Sequence, residues 1–334
     1  MARSHKKENN MKYYFAPLEG ITGFDFRNVH HTMFKGIDSY FTPFLSARQT
    51  LSFVTKEKKD IAPENNIGLT VVPQILANKA PEFVWAAQEI QAHGYSVVNF
   101  NLGCPMPTVV TKKKGSGLLA DLTHLESLLD DIFDGVANGG PQISIKTRLG
   151  FDNLEQACAI VELYNKYPLT ELIIHPRSQK DLYKNPVNLD VFEACLTCTK
   201  HQICYNGDIF TKTGYEQWTA RFPVQKYPQI QAVMLGRGII ANPALWREIQ
   251  GGKSLTKQEL RTYHDTLYQT YEARNYGLSP LLHRMKELWF YWGRLFMDAE
   301  KPVRKIRLAK TIEAYRPAVD RLFEGWDIGG HFSS

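Results

Sequence analysis

Residues able to do chemistry recur at the ends of short apolar runs. The stretch NFNLGCPMPTVVTKKKGSG, residues 99–117, places Cys104 between Gly103 and Pro105, ahead of Lys112, Lys113 and Lys114. Cys104 reads in two ways: as a small apolar residue closing a strand, or as a thiol presented on a loop. Elsewhere Gln74 lies in LTVVPQIL, and Lys146 and Arg148 stand two apart in QISIKTRL, on one side of a strand. His175 ends ELIIHP; Asn206-Gly207-Asp208 and Gly236-Arg237-Gly238 end two later runs. Any one of these could be a satisfied polar group of a core. A buried Lys146 is costly without an anionic or electron-rich partner.

Eight apolar runs position these residues, at 13–18, 39–45, 69–76, 96–102, 142–149, 171–176, 202–207 and 231–236. Most are continuous and not alternating, as buried parallel strands are. Helical periodicity lies between most of them, as at 81–93, 122–136 and 153–167, while 46–68 reads as a long polar connection without a helix. This predicts an α/β fold, a (β/α)8 barrel over 11–250, although a doubly wound sheet fits the pattern too. Residues 1–10 read as a disordered lead with no apolar segment of a secretory signal.

From 251 the texture is all-α, with helices expected near 256–275, 280–297, 302–313 and 315–324, so a small helical-bundle domain closes the chain. Leu282, Met285, Leu288, Trp289, Trp292 and Phe296 fall on one helical face. We read the Trp stripe as interdomain core.

In a parallel barrel the C-terminal strand ends form the functional face. Glycines and an Arg after strands seven and eight suit a phosphate, though glycine turns capping helices would look the same. Cys195, Cys198, His201 and Cys204 have a metal-box spacing, but a helix and a strand carry them and they need not converge; no metal is expected. His30-His31 reads as a surface pair on a helix.

The 334 residues are 43% hydrophobic and 22% charged, with no run long enough for a membrane span. Five cysteines, an odd number, suggest a reducing compartment and not a disulfide framework. The net charge of +6 permits an anionic partner without requiring one. Much of the excess follows residue 253, with 14 Lys/Arg against 10 Asp/Glu, and KPVRKIRLAK (301–310) holds five cations and no acid. That run suits nucleic-acid phosphates or a merely solvated helix face.

APLEG-IT, VPQIL, NLGCP, KTRLGFD, HPRS, YNGDI and VMLGRGIIANPALW occur in that order, followed by HRMKELWFY. In these motifs, over about residues 12–320, the chain resembles the tRNA-dihydrouridine synthases, FMN enzymes built as a (β/α)8 barrel with a helical domain. The resemblance implies reduction of the C5–C6 bond of tRNA uridines, with tightly bound FMN, NADPH as electron donor, and a cytoplasmic monomer without a membrane or obligate protein partner. It implies that Cys104, on a mobile loop, is the catalytic acid. Ala16, Pro17 and Leu18 would lie against the flavin, with Gln74, Lys146 and His175 around its ring. Asn206, Gly207, Asp208, Gly236 and Arg237 would hold its phosphate. Asn101, Arg148 and Arg177 would face the uracil. Lys112, Lys113, Lys114, Arg284, Lys286, Arg304, Lys305 and Arg307 would meet tRNA phosphates. The chain departs from the family in having Pro176 where Gly is usual, Ser178 for Thr, and Asn99 where Asp is frequent. An FMN barrel acting on a small pyrimidine, a synthase acting on ribosomal RNA, and a non-catalytic RNA-binding module are the alternatives.

A thiol suits the acid role because it stays mostly protonated at neutral pH. The lysines that follow it must therefore keep their charge away from the sulfur.

Overall fold

The strands close on themselves in chain order. The computed structural model describes residues 11–47, 50–137, 139–274 and 277–329; the lead expected at 1–10 lies outside them. The strands are β1 (Lys12–Phe15), β2 (Ser39–Leu45), β3 (Val71–Ile75), β4 (Val97–Leu102), β5 (Gln142–Arg148), β6 (Leu172–His175), β7 (Ile203–Tyr205) and β8 (Ile230–Leu235). Each pairs in parallel with its neighbour, and β8 returns to β1. The doubly wound alternative is thereby excluded. Pro43, which has no N–H to give the ladder, falls where the β2–β3 register shifts.

Side-chain alternation sorts the residues. Val98, Phe100, Ile143, Ile145, Leu172 and Ile174 point outward into the layer between sheet and helices. Tyr14, Phe41, Ile173, Cys204, Ala232 and Met234 point inward and fill the barrel. With period two, Asn101, Lys146, Arg148, His175 and Asn206 share the inward face, toward the C-terminal ends of the strands.

The helices between strands use ordinary end signals. Ala80–Ala92 carries Pro81 in its first turn and gives way to Gly94 at φ +91°. Leu122–Val136 starts at Asp121, whose carboxylate accepts the His124 N–H at 3.0 Å. The connection 46–68 does hold a helix, Thr55–Ile61. Its polar sequence TKEKKDI hides it, and Glu57 anchors it by accepting the N–H groups of Val54 (2.8 Å) and Ser46 (3.0 Å).

From Lys257 the described chain is helical: Lys257–Ala273, Leu278–Trp292, Glu300–Leu308 and Ile312–Gly325. The Trp stripe is buried, and the Trp292 indole N–H donates to the Ile240 carbonyl of the barrel at 3.0 Å. His30 is likewise covered, contrary to the surface reading. Tyr263 of the helical region lies edge-on to it, Tyr40 Oη is 2.9 Å from its Nδ1, and the Pro243 carbonyl is 3.2 Å from its Nε2. No helix among the described residues is long and apolar enough to cross a membrane.

Candidate active site

The upper end of the barrel opens into a cavity of about 500 Å³, within the range of cofactor sites. Pro17, Leu18, Gln74, Asn101 and Cys104 line it on one side, Lys146, Arg148 and His175 on another. These eight were all expected near the flavin or the uracil.

A chain of side-chain amides sets the Cys104 loop. Ser144 Oγ accepts from Asn99 Nδ2 at 2.9 Å, and Asn99 Oδ1 accepts from Gln74 Nε2 at 2.7 Å. Gln74 Oε1 accepts from Asn101 Nδ2 at 2.7 Å, and Asn101 Oδ1 accepts the N–H groups of Gly103 (3.1 Å) and Cys104 (2.9 Å). Asn99, the departure from the frequent Asp, both accepts and donates, as Gln74 and Asn101 do; an ionised Asp there could only accept.

The loop backbone is held from two sides. The Cys104 carbonyl accepts from Ser116 N (3.1 Å) and Ser116 Oγ (2.8 Å); the Gly103 carbonyl accepts from Arg148 Nε at 3.1 Å. Gly115, at φ +57°, is where the chain folds back: a Cβ there would stand 2.8 Å from the Cys104 carbonyl oxygen and 3.1 Å from its Cβ. A glycine is needed on both counts.

Burial pushes the Cys104 thiol up, against a smaller downward pull from Lys146 and Arg148. Lys112, Lys113 and Lys114 are not among the groups that chiefly set this balance. Lys112 and Lys113 face solvent. Lys114 turns inward, donating to Ser46 Oγ at 3.1 Å and lying 3.5 Å from Glu82.

Burial, followed by the Arg148 charge, lowers Lys146 to about 8. Its amine makes no hydrogen bond or ion pair to another described residue. His175 is held neutral well below its ordinary range by burial and the cations Arg148, Lys146, Arg177 and Arg237. Arg177 Nη1 lies 2.9 Å from His175 Nε2. A guanidinium can only donate, so Nε2 accepts and Nδ1 carries the proton.

Beside the cavity lies a second cluster. Asp208 pairs with Arg177, and with Arg237 Nη2 at 2.7 Å. Two guanidiniums sharing one carboxylate leave a net positive charge. Asn206 Nδ2 donates to the Met234 carbonyl at 2.8 Å, tying β7 to β8. Gly207 and Gly238 are demanded by packing, since a Cβ would strike the Tyr205 ring or the Ile209 carbonyl. At Gly236 a Cβ would meet only the Ala16 methyl, at 3.5 Å, leaving its backbone approachable. The sequence did not point to Tyr183. Its ring lies against the Arg148 (5.2 Å) and Arg237 (4.5 Å) guanidiniums and joins the two clusters. Glu287 and Tyr291, from the helical region, complete the cavity wall; their only signal was the motif HRMKELWFY.

Other expected residues lie elsewhere. Arg177 is fully buried and outside the cavity wall, with Nε bonded to the Asn185 carbonyl at 2.6 Å. The Lys286 amine donates to the Ala309 carbonyl at 2.7 Å. Arg284 stacks on Tyr271 at 5.5 Å. Arg304 and Lys305, with Lys301 and Lys310, line an open groove of about 630 Å³; Arg307 is on the same helix. The metal-box residues do not converge: Cys204 faces the barrel interior, whereas Cys195 packs in the helix layer and His201 Nε2 meets the Tyr164 carbonyl.

The donor set fits FMN. It offers an unpaired amine and a neutral imidazole in a cavity of suitable size, beside a cationic cluster with an approachable glycine at the ends of β7 and β8.

A family model described as dihydrouridine synthase matches residues 14–297. A probable tRNA-dihydrouridine synthase of Staphylococcus aureus (strain COL) is 27% identical over 278 residues, covering 78% of each chain. tRNA-dihydrouridine synthase B of Pasteurella multocida is 27% identical, covering 84% of this chain and 79% of that one. A probable tRNA-dihydrouridine synthase of Helicobacter pylori (strain 26695) is 27% identical across 94% of this chain and 93% of its own. Among solved structures, a variant of NCR from Zymomonas mobilis superimposes with a TM-score of 0.50 at 11% identity, over 75% of this chain and 90% of that one; this likeness shows the fold alone.

Proposed function

Since the chain belongs to the dihydrouridine synthase family, we propose that it reduces the C5–C6 bond of uridine in tRNA, with FMN in the barrel and NADPH as electron donor. The observation that carries this reading is a half-buried Cys104 thiol in the same cavity as the Lys146 amine, which has no hydrogen-bond or ion-pair partner among the described residues.

FMN, when bound, supplies the hydride for C6 of the uracil. Lys146 would hold the electron-rich edge of its ring, where negative charge develops. His175, fixed as the Nδ1–H tautomer, offers a neutral donor to the same ring. Pro17, Leu18 and Gln74 form the wall. Arg237, with Arg177 behind Asp208, supplies the charge for the phosphate, and Ala16, Asn206, Gly207 and Gly236 shape the backbone around it. Asp208 acts by holding the two guanidiniums, because its own carboxylate cannot face a phosphate favourably.

Cys104 delivers the proton: the S–H bond breaks, a C5–H bond forms, and a thiolate remains. A general acid must stand within hydrogen-bond reach of the atom it protonates. The Asn101 carboxamide and the Ser116 clamp give the thiol that fixed place. Arg148 acts mainly through the loops, since it donates to the carbonyls of Gly103, Ser178 (2.6 Å) and Leu182 (2.6 Å).

The target base must leave the RNA stack to enter the cavity. Lys112, Lys113, Arg284, Arg304, Lys305 and Arg307 would offset that cost by meeting phosphates, with the helical region 251–334 as the main docking face. Lys114 and Lys286 serve the protein and not the RNA.

The test is reduction of unmodified tRNA by the protein with FMN and NADPH, followed by nucleoside analysis. Dihydrouridine is the expected product. Its absence from tRNA with flavin bound, or turnover of a free pyrimidine instead, would overturn the reading.

A further inference from the structure

Next to the reaction cavity lies a second hollow of about 480 Å³, lined by His283, Lys286, Glu287, Phe290, Tyr291 and Arg307. It shares Glu287 and Tyr291 with the reaction cavity. Phe290 is 43% exposed although it belongs to a helix whose tryptophans, Trp289 and Trp292, are fully buried. Its ring stands edge-on to Tyr291 at 5.2 Å. The guanidiniums of Arg294 and Arg307 lie 5.3 and 5.5 Å from its centroid. Arg307 shares its helix with Lys301, Arg304 and Lys305 of the cationic groove.

We infer that Phe290 is a stacking platform for an unpaired nucleobase of the RNA, beside the base that enters the reaction cavity. A ring left 43% exposed, with two guanidiniums within 5.5 Å of its centroid, matches an unstacked nucleotide in both its parts. The π-face takes the base, and the guanidiniums take a base face or a phosphate. Neither a buried apolar core nor a purely cationic groove needs this arrangement. Position supports the same occupant. The shared Glu287–Tyr291 wall sets the platform next to the reaction cavity, and Arg307 carries the path on toward the cationic groove. A flexible strand can therefore place one base in the cavity, the next on Phe290 and its phosphates along Lys301, Arg304 and Lys305. The charge is complementary: Glu287 is the hollow's one acid, burial shifts it toward its neutral form, and the rim is cationic.

This inference rests on the RNA reading above, and its test reads binding without turnover. Anisotropy of labelled single-stranded decauridylate is measured with the full-length protein at several salt concentrations. Phe290→Ala should weaken binding by roughly 5- to 150-fold, the loss of one stacked base. Its slope of log affinity against log salt should be unchanged, because no charge is removed. Phe290→Trp should restore affinity and Phe290→Leu should not. Arg307→Ala should lower the magnitude of the salt slope by about 0.7, one single-strand phosphate. Wild-type affinity in Phe290→Ala, or rescue by Leu as good as by Trp, would overturn the platform. So would polyglutamate displacing the RNA as readily as unlabelled decauridylate does, which would make the surface a general anion patch. If the wild type binds with this Phe290 dependence yet forms no dihydrouridine in tRNA, the platform stands and the reductase reading falls.

Discussion

Gly115→Ala isolates geometry from chemistry at the reacting thiol. The substitution removes no reactive group and adds one methyl. Left-handed backbone costs a non-glycine residue about 1–2 kcal/mol. The new Cβ would also stand 2.8 Å from the Cys104 carbonyl oxygen, where ordinary contact begins at 3.4 Å, so the loop must open by about 0.6 Å. Overpacking of this kind costs a further ~1–3 kcal/mol. The displaced atoms are the backbone and Cβ of Cys104, so the thiol moves with them. A misplacement of about 1 Å costs on the order of a hundredfold in rate, so a loss of roughly 10- to 100-fold is expected here. The assay is single-turnover oxidation of pre-reduced enzyme by tRNA, with flavin affinity measured alongside and expected to be unchanged. Gly94→Ala is the matched control: its φ is +91° and a Cβ there meets nothing within 4 Å. It should lose a similar conformational stability and keep its rate. A wild-type rate in Gly115→Ala, or an equal rate loss in Gly94→Ala, would refute the positioning argument.

Two further predictions concern charge. The folded-state pKa of Lys146 is lowered to about 8 from 10.5. Between those values the unfolded chain binds the extra proton, so the flavin-free protein should gain stability as pH rises from 8 to 10. Urea midpoints across that range should show the gain, and Lys146→Met should abolish this contribution. Asp208→Ala leaves the buried Arg177 guanidinium without its carboxylate, which should cost about 3–5 kcal/mol of stability and weaken FMN binding through disordered arginines. Urea melts and flavin titration check both, and an unchanged urea midpoint would contradict the shared-carboxylate account.

The strand-end residues were legible because alternation along a strand is rigid. Lys146 and Arg148, two apart, had to face the same way, and closing the barrel brings Gln74, Asn101 and His175 to the same cavity. Where side chains outside the strands point was not legible. Lys114 and Lys286 belong to basic stretches that read as RNA contacts, yet their amines bond to Ser46 and to the Ala309 carbonyl. A run of charge reports composition and not direction. His30 looked exposed because the helix that covers it lies more than two hundred residues away in sequence. Tyr183, Glu287 and Tyr291 reach the cavity from a loop and a distant helix, so local periodicity carried no trace of that placement. The clamp on Cys104 was hidden for the same reason: nothing in the order of residues sets Gly115 and Ser116 against the Cys104 carbonyl.

The most direct measurement is single-turnover reduction of tRNA by FMN-loaded, pre-reduced Cys104→Ala, with dihydrouridine quantified as the product. Losing a general acid costs about 10²- to 10⁴-fold, so the variant should bind flavin and tRNA normally and form dihydrouridine slower by that factor. A variant that forms it at the wild-type rate would contradict the assignment of Cys104 as the proton donor.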